Sequence, residues 1–156
     1  MAASQTQPGE VDTGAQVIEA IKKNGDSIDW GLGRRLVYHA DKVPLPTGIA
    51  DLLLITDDRS TLYVVEILPG ECSAEDVGRL LGHCGWLQTA ILSLSSSVTG
   101  VLYPKTENQH SFAVQVTEVK GILLAAGFNA GALCAVANCA ELIAMTYSFS
   151  IRLGKP

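Results

Sequence analysis

The chain has 156 residues and a mass of 16.5 kDa, with 47% hydrophobic and 17% charged side chains, a net charge of −5 and a pI near 5.1. That length supports one domain-sized core, and the composition excludes a disordered or collagen-like polymer. The acidic average excludes a bulk electrostatic hold on nucleic acid, so any grip on phosphate must be local.

Residues 1–10 are small and polar and read as a disordered leader, with 11–156 as a single domain. The opening MAASQTQPGEVDTG carries neither the basic n-region nor the apolar h-region of a secretory signal. No apolar stretch reaches the roughly 18 residues of a membrane span. Cys72, Cys84, Cys134 and Cys139 form neither a CxxC pair nor a zinc-binding spacing. A soluble, cytoplasmic protein with reduced, mostly core-filling thiols is expected.

Val17, Ile18 and Ile21 recur at helical spacing and predict a helix from Thr13 to Lys23, stopped at Asn24-Gly25. Leu36-Val37-Tyr38 predicts a strand, and Pro44-Leu45-Pro46-Thr47-Gly48 is expected to be irregular because two prolines restrict it. Ile49 to Ile55 and Leu62 to Leu68 are apolar runs, each with one acid inside it, separated by the turn chemistry of Asp57-Asp58-Arg59-Ser60. They predict a β-hairpin buried on both faces, which Pro69-Gly70 is expected to end. Ser73 followed by Asp76 resembles a capping box, and Val77, Leu80, Leu81, Cys84, Leu87 and Ile91 predict an amphipathic helix over 74–92. The serine run at 93–97 closes that helix, and Val98 to Tyr103 with Phe112 to Val116 predict a hairpin around the polar tip at 105–109. Val119 to Ala125 predicts a further buried strand. Asn129 caps a small-residue helix to about Cys139, and Leu142 to Leu153 alternates as a terminal strand.

Chemistry enters with Asp51 and Glu66, the acids embedded in the two hairpin strands. A hairpin of this length can bring the two carboxylates side by side. An ionised carboxylate in a core strand is costly without compensation, and a divalent cation compensates two converging acids. Mg²⁺ accepts such a pair while keeping several waters, and metal-assisted phosphodiester hydrolysis is the chemistry that follows. The plainer alternative is that backbone amides, or Arg34 and Arg35, satisfy both acids.

The order helix, three strands, long helix, strand, helix, strand, with acids in the second and third strands, resembles the PD-(D/E)XK nuclease superfamily, and within it small RecB-like and NucS-like domains. The matching segments are Pro46-Thr47-Gly48-Ile49-Ala50-Asp51-Leu52-Leu53 and Leu62-Tyr63-Val64-Val65-Glu66-Ile67-Leu68. The helix from Glu75 to Leu87 and the strands Val119 to Ala125 and Tyr147 to Leu153 complete the likeness. The resemblance implies an α/β fold with a restriction endonuclease-like αβββαβ core, a central mixed sheet flanked by helices, and an inserted hairpin or loop near 95–116. It also implies Asp51 and Glu66 as Mg²⁺ ligands and DNA as the partner.

The sequence departs from that family at the lysine two residues after the strand acid, which orients or deprotonates the attacking water; here Leu68 stands there. Three replacements are available: Arg79 with His83, which share a helix face at i and i+4, then Lys120 at the start of the next strand, and third the literal acid-x-lysine triplet Glu118-Val119-Lys120. No embedded-Asp strand precedes that triplet at hairpin distance. Glu19 on the first helix is a further acid that can approach the site. Trp30 and Trp86 read as core, and His39, His110, Lys22-Lys23 and Arg34-Arg35 as solvated groups. Two functions follow, a DNA-binding or DNA-processing protein with a nuclease-like fold, or a catalytically inactive binding or assembly module that is a homodimer.

Overall fold

Val17, Ile18 and Ile21 are the buried face of helix α1, Thr13–Asn24, at the start of a computed structural model that describes residues 13–92 and 116–147. The Asn24 side-chain amide donates to the Ala20 carbonyl at 3.1 Å, and a 3-10 turn, Gly25–Ser27, follows. Lys22 and Lys23 occupy the last turn, where the helix dipole favours cations.

Strands β1 (Leu36–Leu45), β2 (Gly48–Thr56) and β3 (Thr61–Cys72) form an antiparallel meander. Helix α2, Ala74–Leu92, then crosses over to β4 (Glu118–Phe128), parallel to β3; helix α3, Ala130–Ala137, leads to β5 (Leu142–Thr146), parallel to β4. The sheet order is β1-β2-β3-β4-β5, a mixed sheet with helices on both faces. Leu53, Leu62, Val64 and Leu123 pack against Leu80, Leu87 and Ile91 of α2. Leu52, Leu54, Val65 and Ile122 pack on the other face against Val17, Ile18 and Ile21 of α1. Burial from both sides is why β2 and β3 read as continuous apolar runs.

Two proline-based expectations are corrected. Strand β1 runs through Pro44 to Leu45, with Pro44 opposite Ile49, so only Pro46 and Thr47 separate it from β2. The reason is position: β1 is an edge strand, where the missing proline N–H forfeits no second ladder. Strand β3 likewise continues past Pro69-Gly70 to Cys72, with its register against β4 shifted between Leu68 and Glu71. A proline at such a bulge removes no needed donor.

Local signals elsewhere agree with the structure. Asp58 closes the β2–β3 turn by accepting from Ser60 N (2.9 Å), Ser60 Oγ (2.7 Å) and Thr56 Oγ1 (2.8 Å), and it pairs with Arg34. Asp76 accepts from Ser73 N at 2.8 Å and Ser73 Oγ at 3.0 Å, which opens α2. Asn129 caps α3 by accepting from Ala132 N at 2.8 Å. All four cysteines are free, with Cys72 and Cys84 buried. Among the described residues no helix is long and apolar enough to cross a membrane. The leader at 1–10, the hairpin expected over 98–116 up to residue 115, and the terminal strand beyond Tyr147 lie outside the described residues.

Gly121 on β4 sits where the side chains of Leu142 and Leu80 leave no room for a Cβ. A Cβ there would stand 2.7 Å from Leu142 Cδ2 and 2.9 Å from Leu80 Cδ2, both in the buried core. Gly121→Ala is therefore expected to lower the urea midpoint by an amount worth about 1–3 kcal/mol, with the m-value unchanged. An unshifted midpoint would mean that α2 gives way at no cost.

Candidate functional site

The β2–β3 ladder ends at the pair Leu52 and Val65. Two residues further on, that register would set Ala50 opposite Ile67, but the Ile67 amide donates instead to Asp51 Oδ2 at 2.8 Å. A side chain has replaced the strand, and the two strands part. Alternation slips at the same place, because Ala50 packs with Leu53 and Ile55 under α2 while Leu52 and Leu54 face α1. Across β1, Lys42 stands opposite this slip between the pairs Asp41–Leu52 and Val43–Ala50, with a left-handed φ of 50°. Such a conformation in a non-glycine residue re-aims the side chain. Lys42 and Asp51 line one cavity of about 350 Å³ with Thr13, Gly14 and Ile18 of α1.

Glu66 lies inside the sheet with 5% of its surface exposed. Its Oε1 is buried without a hydrogen-bond partner, and its Oε2 is 4.0 Å from Arg79 Nε. Burial, followed by the charge and hydrogen bonding of Asp51, pushes the Glu66 carboxyl up to about 8, against a smaller opposing pull from Arg79. The two strand acids thus converge closely enough to contest one negative charge.

Arg79 is half-exposed and also pairs with Asp76, so its guanidinium is divided between two carboxylates. His83 is fully buried; its Nδ1 lies 2.7 Å from Thr47 Oγ1, and its Nε2 lies 3.7 Å from Glu66 Oε1 with no hydrogen-bond partner. Burial, then the Arg79 charge, pulls its pKa below the ordinary histidine value, so the ring is neutral near pH 7. In this state the ring contributes shape and hydrogen bonding beside Glu66.

Asp51, Glu66, Arg79 and His83 are brought together, and Lys120 is not. Lys120 pairs with Tyr63 in the β3–β4 register, whereas Glu66 pairs with Leu123. Three residues of strand separate them by about 10 Å. Lys120 Nζ is instead 4.0 Å from Glu118 Oε1. Glu19 is exposed on α1, and Arg34 serves the Asp58 turn instead of the strand acids. Trp30 is buried and Trp86 packs against the core. Leu68 packs partly against the α2-side core, and its carbonyl accepts from Tyr147 Oη at 2.7 Å.

Thr47, Lys42 and Tyr147 are the site neighbours that sequence reasoning gave no role. Thr47 lay within the quoted Pro46 to Leu53 segment, yet nothing local marks it as a histidine partner. Among the described residues no three His, Cys, Asp or Glu side chains gather to hold a metal ion. The donor set on offer is two carboxylates, which suits a hard cation that keeps most of its own water.

Comparison with solved structures identifies the architecture. The chain superimposes on an EndoMS–dsDNA complex with a TM-score of 0.61 at 17% identity, covering 96% of this chain and 51% of that one. A repair endonuclease from Pyrococcus abyssi gives 0.58 at 16% identity, covering 90% and 49%. The fold is nuclease-like. EndoMS in its apo form gives 0.53 at 17% identity, covering 92% and 49%, so the chain spans about half the length of these structures. No family model matches the chain, and no curated protein aligns with it. At these identities the likeness is one of fold, and it agrees with the expected αβββαβ core.

A buried carboxyl raised to about 8 carries a sign. Between the ordinary carboxyl value of 4.5 and about 8, folded Glu66 keeps a proton that the unfolded chain releases, so its contribution to stability falls as pH rises. In chelator-treated buffer, Glu66→Gln is expected to raise the melting temperature, with a gain smallest near pH 4.5 and largest near pH 8. A gain independent of pH would contradict this assignment.

Proposed function

We propose that this chain is a DNA-binding or DNA-processing domain in which Asp51 and Glu66 hold Mg²⁺ at the parted end of β2 and β3. The observation that carries the reading is the meeting of two strand acids there, with Glu66 Oε1 buried and unpaired. A neutral protein partner for that oxygen is missing among the described residues, and the donor chemistry fits a divalent cation. Bound Mg²⁺ supplies Lewis-acid polarisation of a phosphate and lowers the pKa of its waters.

The chain's own residues have separate tasks in this reading. Asp51 is held in place by the Ile67 amide, and Glu66 by its burial under α2. Arg79, exposed at the rim and 4.0 Å from Glu66, is the cation placed to meet a phosphate oxygen. Lys120 is too far along β4 to share that task. The fold likeness to an EndoMS–dsDNA complex and to a repair endonuclease supports DNA as the polymer.

Leu68 favours a second reading, an inactive homodimeric assembly module that keeps the acids as a relic, because the position that would hold the water-activating lysine is apolar and packed. The two readings part in a divalent-metal titration coupled to plasmid nicking. Wild type is expected to bind Mg²⁺ or Mn²⁺ and to nick weakly, Asp51→Ala and Glu66→Ala to lose binding, and Leu68→Lys to nick about 10²-fold faster, the usual scale of a general acid–base group. Absence of divalent binding in wild type, together with a stable dimer in solution, would leave the assembly module in its place.

A further inference from the structure

We propose that Thr47, His83 and Glu66 form a positioning chain, in which the Thr47 hydroxyl donates to His83 Nδ1 and His83 Nε2–H donates to Glu66 Oε1, aiming Oε2 at the cation. This rests on the metal-site reading above. The distances are 2.7 Å for Thr47 Oγ1 to Nδ1 and 3.7 Å for Nε2 to Oε1. The second is beyond hydrogen-bond range, yet Nε2 and Oε1 are both buried and, among the described residues, neither atom has a hydrogen-bond partner. Bringing these two atoms within hydrogen-bond reach would satisfy both at once.

The direction of the protons follows from the donor inventory. A cation-bound Glu66 is a carboxylate and only accepts, whereas a neutral imidazole offers one N–H and one lone pair. The N–H must therefore face Glu66, and Nδ1 is left to accept from the Thr47 hydroxyl. The opposite tautomer would set a lone pair against a carboxylate oxygen. Gly48, at a φ of 128°, turns the chain beside the ring, and a Cβ on it would be 3.4 Å from His83 Cε1. With Oε1 taken by His83, Oε2 is the oxygen left between the cation and Arg79, whose Nε is 4.0 Å away. Ligating carboxylates oriented by such a partner lose about 10–100-fold in metal affinity when the partner is removed.

Calorimetric Mg²⁺ titration and ¹⁵N NMR of the imidazole in the Mg²⁺-saturated full chain test the proposal together. His83→Leu is expected to weaken Mg²⁺ binding about 10–100-fold. Thr47→Val, at an exposed position that leaves the core intact, is expected to weaken it less, with Thr47→Ser close to wild type. The ¹⁵N spectrum is expected to show His83, assigned by its loss in His83→Gln, protonated at Nε2 and not at Nδ1, a signature that packing alone does not dictate. An Nδ1–H tautomer, or unchanged affinity in both His83→Leu and Thr47→Val while Mg²⁺ still binds wild type, overturns the positioning chain and leaves the metal site standing. Failure of wild type to bind Mg²⁺ overturns the metal site itself.

Discussion

The Glu66 carboxylate is buried in the sheet beside a second acid, and the groups around it divide their attention. Asp51 gives one oxygen to the Ile67 amide, Arg79 is shared with Asp76, and His83 is neutral. Ionising a carboxyl out of water without full compensation is costly, which is why Glu66 holds its proton up to about 8. The rest of the molecule is arranged to tolerate it. The apolar layers on both faces of β2 and β3 fix the strands that carry the acids, and the capped, well-packed α2 keeps Arg79 and His83 in place. Strength in the core and electrostatic tension at the end of the hairpin are two sides of one design.

Much of this is legible in the residues themselves. The bounds of α2 match because two independent signals coincide, the Ser73–Asp76 box at one end and the periodic apolar face along it. The acid pair is legible because a charge inside an apolar run contradicts its surroundings and so calls for a reason. The prolines mislead for a non-local cause: whether Pro44 breaks a strand depends on whether that strand lies at the edge, and the residues near Pro44 do not say so. Thr47 and Tyr147 reach partners 36 and 79 residues away, beyond any local pattern. The shared face of Arg79 and His83 follows from helical spacing, but the neutrality of His83 follows from burial, which is a tertiary property. That Lys120 lies three residues along the ladder from Glu66 follows only from the parallel register between β3 and β4.

The likeness to repair endonucleases concerns the frame, and chemistry resides in the side chains set upon it. On this chain's frame an embedded acid sits on each of two neighbouring strands, Asp51 and Glu66, and Leu68 stands two residues beyond the second. In this chain Leu68 packs partly against the core, and its backbone carbonyl is tied to Tyr147. Basic character has moved to the rim, with Arg79 on one side of the acids and Lys42 beside the Asp51 cavity on the other.

The proline in β1 has a bearing on how copies of this protein meet. An edge strand with a regular row of free amides and carbonyls is a template for another strand, and natural sheets blunt it with proline, lysine or a bulge. Strand β1 carries all three, with Pro44, the left-handed Lys42 and a register shift between Tyr38 and Ala40. Among the described residues, these features disfavour the zipping of two copies along that border into a continuous sheet. A chain with 47% hydrophobic side chains is thereby protected from runaway strand addition on the side nearest its acids.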